Sequence, residues 1–182
     1  MTNPLKLGKQ QPRSGFLTPM LRELRPIEHG LLQDHLLRLS PESRILRFGC
    51  PVSSMFIETY CQNKGRPKPI IFGALIGETL CGVVELRFGE KIPQDVAELG
   101  ISVEDDWQDT GIGTKLMEIA LRCARDNGIA VLEVNFLPHN TAMRRLTQKF
   151  GANFSYQMGM TKAIIALPRP SYAVVAGSKR PQ

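Results

Sequence analysis

The sequence has no long apolar run and no paired cysteines. Its 182 residues contain no apolar stretch of about eighteen residues, the length a membrane-spanning helix requires. The first fifteen residues have no apolar centre, so we expect no secretory signal. The four cysteines, Cys50, Cys61, Cys81 and Cys123, form no CxxC motif, so we expect neither a zinc site nor a redox motif, and no bound metal. Reduced thiols in a cytoplasmic protein are the resulting prediction.

The body of the chain also lacks excess basic charge. The formal net charge is +6, but residues 1–26 and 162–182 each contribute +4, and residues 27–161 contribute −2. A nucleic-acid-binding domain is expected to have a basic face of its own. We therefore do not expect nucleic acid as a partner. Binding through the tails ranks last among the hypotheses and would show a steep salt dependence.

Length and composition indicate one folded domain between two tails. Residues 1–18 and 168–182 are rich in proline, glycine and polar side chains with little periodicity, so we expect both segments to be flexible. The folded domain is then predicted over residues 19–167, a length that can bury a core of its own.

The first half of this domain is predicted to hold a short strand and three helices. The strand covers residues 20–25, and apolar residues at helical spacing predict a helix over 27–39. Ser40 is placed to cap a second helix that has proline at its first position. A third helix is predicted from Ser53 or Ser54 to about Asn63.

Strand patterns dominate the centre of the chain. Residues 70–76 and 80–88 are rich in β-branched and apolar residues, and the Gly77-Glu78 pair between them indicates a hairpin. Residues 97–103 alternate, with Glu98, Gly100 and Ser102 on the more polar face.

The last third of the domain alternates helix and strand. Gly111 opens an amphipathic helix that Gly128 ends, and an apolar strand is predicted over 130–137. A second helix follows Asn140, and one further strand is predicted over 152–160, with Tyr156 on its apolar face. Antiparallel strands followed by a late βαβ crossover predict an α/β protein with a mixed sheet.

The segment WQDTGIGTKL, residues 107–116, has the composition of a phosphate-binding loop. A dinucleotide fingerprint would need glycine or alanine where Leu116 stands, and a Walker loop would need glycine directly before Lys115. The remaining pattern, Q-x-x-G-x-G before a helix, lets the backbone approach an anion at the free N–H groups of the helix start. A glycine-rich turn whose helix end meets water is the alternative.

Three segments carry a family resemblance. Gln108–Gly113 resembles the acyl-CoA-binding motif R/Q-x-x-G-x-G/A of the GNAT superfamily of N-acyltransferases, and Asn140–Gly151 resembles its later N-x-x-M/A-x-x-L-x-x-K-x-G helix. Residues 39–48, LSPESRILRF, are similar to a stretch of bacterial protein-lysine acetyltransferases. The resemblance covers about residues 20–166 and implies the GNAT fold, a mixed and mostly antiparallel sheet flanked by helices, with a splayed pair of parallel strands.

The resemblance also implies a site for acetyl-CoA as co-substrate. Pantetheine is expected in the gap between strands 97–103 and 130–137, and the pyrophosphate on the backbone amides of 108–114. Asn140 is expected near the thioester, with a plain helix cap as the alternative role. The expected cofactor-binding residues are Ile101, Ser102, Val103, Gln108, Asp109, Thr110, Gly111, Ile112, Gly113, Thr114 and Asn140.

The chemistry requires a base, because an amine attacks a thioester only when it is deprotonated and a lysine amine has a pKa of about 10.4. Glu98 is the predicted general base, since the family often has a glutamate on this strand; a structural carboxylate is the alternative. Many relatives have a tyrosine acid where this chain has Thr147, so the general acid stays unassigned. Arg44 and Arg47 either shape the acceptor site or form salt bridges within helices.

The predicted function is acetyl transfer from acetyl-CoA to a primary amine, either a protein lysine or a small cationic amine. Residues 94–109 contain six carboxylates and no Lys or Arg, which would attract a cation. These carboxylates are Asp95, Glu98, Glu104, Asp105, Asp106 and Asp109. A non-catalytic acyl-CoA-binding regulatory module is the alternative. We expect no membrane partner, and a homodimer is open.

Overall fold

The seven strands of the computed structural model form one sheet, and the structure describes residues 18–62, 68–88 and 92–168. The strands are β1 (Met20–Glu23), β2 (Ile70–Ile76), β3 (Thr79–Arg87), β4 (Val96–Val103), β5 (Val131–Phe136), β6 (Asn153–Gln157) and β7 (Met160–Ala166). Their order is β1-β2-β3-β4-β5-β7-β6, and β4 with β5 is the parallel pair. The predicted mixed, mostly antiparallel sheet is confirmed.

Five α-helices of the described residues cover the sheet. They are α1 (His29–Arg38), α2 (Pro41–Phe48), α3 (Ser54–Gln62), α4 (Ile112–Asp126) and α5 (Thr141–Lys149). The predicted helices are confirmed, although the expected end of the third near Asn63 lies outside the described residues. The predicted tails fall almost entirely on residues 1–17 and 169–182, which also lie outside them, so their flexibility stays a prediction.

Two hydrophobic cores lie on opposite faces of the sheet. On one face, Leu116 and Ala120 of α4 pack with β2, β3 and β4. On the other face, Leu36 of α1 and Ile57 of α3 pack with Val83 of β3. Each such side chain gains roughly 1.5–3 kcal/mol from full burial. The double burial explains why the β3 sequence is almost continuously apolar.

The caps of α2 and α5 follow the local sequence. The Ser40 hydroxyl accepts a hydrogen bond from the Ser43 backbone N–H (3.2 Å), and Pro41 occupies the first helical position. The Asn140 side chain likewise accepts from the Met143 backbone N–H (3.0 Å). Both predicted caps are confirmed, and they fix where these two helices begin.

The prediction of one strand over residues 152–160 is wrong. The chain turns at Met158 and Gly159, which have φ values of +50° and +79°, and returns as β7. Alternating apolar residues continue into the turn, and methionine is rarely found at positive φ, so the pattern concealed the hairpin. Tyr156 was predicted to face the core, but it is 68% exposed on β6, an edge strand of the sheet.

Candidate active site

A gap opens between β4 and β5 inside the sheet. The two strands pair only from Val96 with Val131 to Glu98 with Glu133, although both continue beyond these residues. The implied splaying of the parallel pair is therefore confirmed. Glu98 lies at the last paired position, where the gap begins.

Backbone polar groups of β4 face this gap. The Glu104 N–H donates to the Cys81 carbonyl of the neighbouring chain segment (2.9 Å). Such bonds recur at every second residue of an antiparallel pair, so Ser102 bonds toward β3 while Ile101 and Val103 direct their N–H and C=O groups toward the gap. The Val103 carbonyl also accepts from Gln108 Nε2 (3.2 Å). The gap thus offers an open strand edge to an amide-containing ligand.

A cavity of about 630 Å³ lies at the gap, with α2 on one side and α5 on the other. Nine of the twelve predicted site residues line it, namely Ile101, Ser102, Val103, Gln108, Asp109, Gly111, Gly113, Thr114 and Asn140. The other three, Glu98, Thr110 and Ile112, are not among its lining residues. The Ile112 side chain is 3% exposed and faces β3, and the Thr110 hydroxyl donates to the Trp107 carbonyl (2.6 Å).

The loop before α4 bends sharply beside this cavity. A short 3-10 helix, Asp105–Trp107, is followed by Asp109 and Gly111 at φ values of +59° and +86°. Gly111 caps α4, whose fifteen residues give it a substantial dipole, with the first backbone N–H groups unpaired within the helix. The loop therefore has the geometry with which helix starts bind phosphate groups.

Similarity to known proteins agrees with this geometry. A sequence model described as the acetyltransferase (GNAT) family matches residues 37–152. The chain belongs to the GNAT acetyltransferase family. No curated protein sequence matches it significantly.

Solved structures share the GNAT fold with this chain. The GNAT domain of PAT from S. lividans has 23% identity and a TM-score of 0.69, over 82% of this chain and 90% of that one. The ribosomal-protein-S18-alanine N-acetyltransferase of Escherichia coli has 19% identity and a TM-score of 0.61, over 90% and 99%. The protein yncA of Salmonella typhimurium, solved with its cofactor acetyl-CoA, has 14% identity and a TM-score of 0.61, over 85% and 96%.

A buried charge cluster of this GNAT chain was missed in the sequence. The Arg47 guanidinium donates to the Glu85 carboxylate and to the Tyr60 hydroxyl, and Arg87 donates to Glu85 (3.0 Å). Burial opposes ionisation, yet Arg47 and Arg87 hold the pKa of the Glu85 carboxyl below its ordinary value. The sequence signal was a single acid, Glu85, that follows five mostly apolar residues of β3, because a buried acid requires a partner.

The two arginines of α2 make no salt bridge within their helix. Arg44 donates to the carbonyls of Leu37 and Leu39, whereas Arg47 reaches across to β3 and lines the cavity. The alternative of salt bridges within helices is therefore wrong for both residues.

His35 links α1 to the cavity wall. It is fully buried, with Nε2 at 3.0 Å from the Ser102 hydroxyl and Nδ1 at 3.1 Å from the Glu104 carboxylate and 3.2 Å from the Leu80 carbonyl. In a neutral imidazole Nδ1 holds the proton, because both of its partners only accept, and Ser102 then donates to Nε2. The sequence signal was its position on the apolar stripe of α1, three residues after Leu32.

Glu104 and Asp105 of the acidic 94–109 segment accept side-chain hydrogen bonds from the helices beside the loop. Glu104 accepts from Arg38 (2.9 Å) and His35, and Asp105 accepts from the hydroxyls of Ser40 (2.9 Å) and Ser43 (2.8 Å). Burial raises their pKa, but these hydrogen bonds outweigh it and hold the pKa of both carboxyls below the ordinary value. Both residues tie helices to the loop, so less of the segment's charge is available to attract a cation.

Thr147 is engaged as well. Its buried hydroxyl donates to the carbonyls of Met143 (2.9 Å) and Arg144 (3.2 Å) within α5. Thr147 is also not among the cavity-lining residues.

Neither a metal cluster nor a membrane helix is found in the described parts of the chain. Residues 18–62, 68–88 and 92–168 contain no group of three or more His, Cys, Asp or Glu side chains placed to share a metal ion. None of the helices described has both the length and the apolar character needed to cross a bilayer.

Proposed function

We propose that the chain transfers the acetyl group of acetyl-CoA to a primary amine by direct attack, with Glu98 as the general base. The observation that carries the proposal is the cavity, which joins an open edge of β4 to the start of α4. A GNAT neighbour solved with acetyl-CoA supports the choice of donor.

The donor fits this site in two places. The backbone N–H groups at Gly111–Thr114 suit the pyrophosphate, since a helix start favours negative charge. The backbone groups of Ile101 and the N–H of Val103 suit the amides of pantetheine, which would take the place of the missing β5 partner; the Val103 carbonyl already accepts from Gln108. Asn140 is 6% exposed and lines the cavity, so it can contact the donor while it caps α5.

Glu98 lies at the closed end of the gap, at the last residue pair of β4 and β5, and is not among the cavity-lining residues. A base at this position would take the amine proton directly or through one water molecule. Glu85 and Glu133 lie on the same face of the sheet as Glu98, but each carboxylate already has an arginine or lysine partner. Glu98 is therefore the better candidate. The leaving thiolate would receive its proton from solvent.

A turnover assay tests the proposal. The full chain is incubated with acetyl-CoA and pooled peptides and small amines, and both thiol release and the mass of the product are measured. We expect acetylated amine, and a loss of kcat of about 10²–10⁴-fold in Glu98→Gln with unchanged affinity for acetyl-CoA.

The matched control is Glu133→Gln. Glu133 is the residue of β5 that stands opposite Glu98 in the parallel pair, so the variant removes a neighbouring carboxylate on the same face. Glu133 forms an ion pair with Lys162 (2.7 Å), so we expect it to leave kcat within a few-fold. Equal losses in both variants would exclude a specific role for Glu98. A preference for neutral or anionic acceptors would remove the argument from acidic charge.

One observation favours a second function, a non-catalytic acyl-CoA-binding module. Thr147 replaces the tyrosine of many relatives, and its hydroxyl is engaged with the backbone of α5. Binding of acetyl-CoA without turnover of any acceptor in the panel would support this alternative and contradict the enzyme.

A further inference from the structure

We propose that Arg47 binds the carbonyl oxygen of the acyl thioester and stabilises the negative charge that forms there during transfer. The inference rests on the proposed function, because it assumes that acyl-CoA occupies the cavity. It assigns to a side chain of α2 a role that neither the loop motif nor the strand pattern suggests.

Arg47 occupies the side-chain space of a strand residue. A Cβ at Gly100 would lie 2.5 Å from Arg47 Nη2, 2.7 Å from Cζ and 3.0 Å from Nη1. The guanidinium therefore lies directly against β4, two residues beyond Glu98 and on the same face of the strand. Arg47 also lines the cavity, so its charge is at the wall of the space that a ligand would occupy.

The pantetheine arm of the donor is long enough to bring the thioester next to Arg47. Gly113 is close to Val103, since a Cβ at Gly113 would lie 3.9 Å from Val103 Cγ2. The arm from pyrophosphate to sulfur has a peptide-like extended length of roughly 16 Å, and a strand rises about 3.3 Å per residue. An arm that starts beside Val103 and follows β4 thus reaches residues 98–100, where Arg47 lies.

Arg47 has a donor that lacks an acceptor. Its side chain is 9% exposed, and Nη2 donates to Glu85 and Tyr60, but Nε is buried without a hydrogen-bond partner among the described residues. Nε is buried away from the cavity, so a ligand oxygen would meet the guanidinium at its Nη groups. The carbonyl oxygen of an acyl group is an acceptor for such N–H donors.

The charge of the cluster also favours an oxyanion. Burial opposes the charge of Arg47, yet Tyr60 and Glu85 outweigh it and raise its pKa above the ordinary value. Glu85 is shared between Arg47 and Arg87, and Glu98, opposite Arg87 on β4, becomes neutral when it takes the amine proton, so positive charge is in excess when the oxyanion is present. Because the Arg47 side chain is buried, water screens its charge little, and the charge acts strongly on a negative charge that develops beside it.

The acetyl group is transferred by addition of the amine to the thioester and loss of the thiolate. The amine nitrogen bonds to the thioester carbon, and the carbonyl electron pair moves to oxygen, where Arg47 opposes the new charge. The amine proton passes to Glu98. The pair returns to reform the carbonyl, the carbon–sulfur bond breaks, and the CoA thiolate leaves with its electron pair.

The kinetic test compares Arg47→Met and Arg47→Lys with Arg44→Met in the full chain. We expect kcat to fall about 10²–10³-fold in Arg47→Met, as for loss of an oxyanion donor, with the KM for acetyl-CoA within about threefold. Arg47→Lys keeps a charge without the planar guanidinium, so its kcat should lie between those of the wild type and Arg47→Met. Arg44→Met removes a neighbouring arginine that is not among the cavity-lining residues, so its kcat should stay within about threefold.

A binding test needs no turnover. Calorimetry gives the ratio of the Kd for S-ethyl-CoA, which has no carbonyl, to the Kd for acetyl-CoA. We expect a ratio of about five in the wild type and in Arg44→Met, the size of one hydrogen bond, and about one in Arg47→Met. If Arg47→Met does not fold, as thermal unfolding would show, the same comparison is made with Arg47→Lys.

The outcomes separate the two proposals. Full kcat and an unchanged Kd ratio in the Arg47 variants, with an active wild type, would overturn the role of Arg47 alone. A rise in KM with kcat preserved would also overturn it, since the residue would then only support binding. A wild type that does not bind acetyl-CoA would overturn the proposed function and this inference together.

Discussion

The two ends of the cavity are built in different ways. The loop end, residues 107–114, is one contiguous segment, exposed over much of its length, that offers backbone groups. The arginine end consists of Arg47, Tyr60, Glu85 and Gly100, which come from four elements and meet in a buried charge cluster. A site made from backbone depends on local conformation, whereas a site made from buried charge depends on every element that surrounds it. Substitutions at the two ends should therefore affect different quantities.

The largest expected effect is on stability at the arginine end. Glu85→Ala leaves Arg47 buried beside only a tyrosine hydroxyl, so we expect a loss of about 3–5 kcal/mol in the free energy of unfolding. Gln108→Ala at the loop end removes exposed hydrogen bonds and should cost less than about 1 kcal/mol. Urea unfolding measures both. Equal losses would show that the two ends do not differ in this way.

The next effect is on binding at the loop end. Gly113→Glu places a carboxylate where the donor phosphates are proposed to bind, so the Kd for acetyl-CoA should rise about 100-fold, or about 2.7 kcal/mol. Stability should stay within about 0.5 kcal/mol, because the first turn of a helix favours acidic residues. Calorimetry and urea unfolding give the two numbers. An unchanged Kd would remove the loop from the donor site.

A pair of identical substitutions gives a smaller contrast. Gly100→Ala forces a Cβ to within 2.5–3.0 Å of the Arg47 guanidinium and should destabilise the chain by about 1–3 kcal/mol. A Cβ at Gly113 would lie 3.8 Å from its nearest side chain, Leu146, and the residue is helical. The free energy of unfolding of Gly113→Ala should therefore equal that of the wild type or exceed it by up to about 1 kcal/mol. Thermal unfolding measures the stability of both variants. Equal changes in the two would contradict the packing of Arg47 against Gly100.

The smallest expected effect is the loss of folding stability at low pH. The folded pKa of Glu85, Glu104 and Asp105 lies below the ordinary value, so their contribution to stability is full above about pH 4.3 and is lost as the pH falls below it. We expect urea unfolding to show stability that decreases between about pH 5 and pH 3. Glu85→Gln should have a shallower decrease than the wild type, and a parallel curve would contradict the assigned pairing.

The fold was largely predictable because its signals are local. Caps such as Ser40 and Asn140, and the periodicity of helices and strands, depend on neighbours in sequence. The missed hairpin at Met158 shows the limit of this method, since its turn residues do not have the usual composition. For the site, the loop and the two strands were predicted, whereas His35 and Glu85 were not, because their partners lie on other elements.

The sequence by itself determined the phosphate-type loop, the helix that follows it and the strands at the gap. These features arise from contiguous residues whose backbone preferences require no distant partner. Only the tertiary structure decided which acids are available and where Arg47 points. Burial and pairing set the behaviour of a charge, and residues 47, 60, 85 and 100 come together only when α2, α3, β3 and β4 have packed.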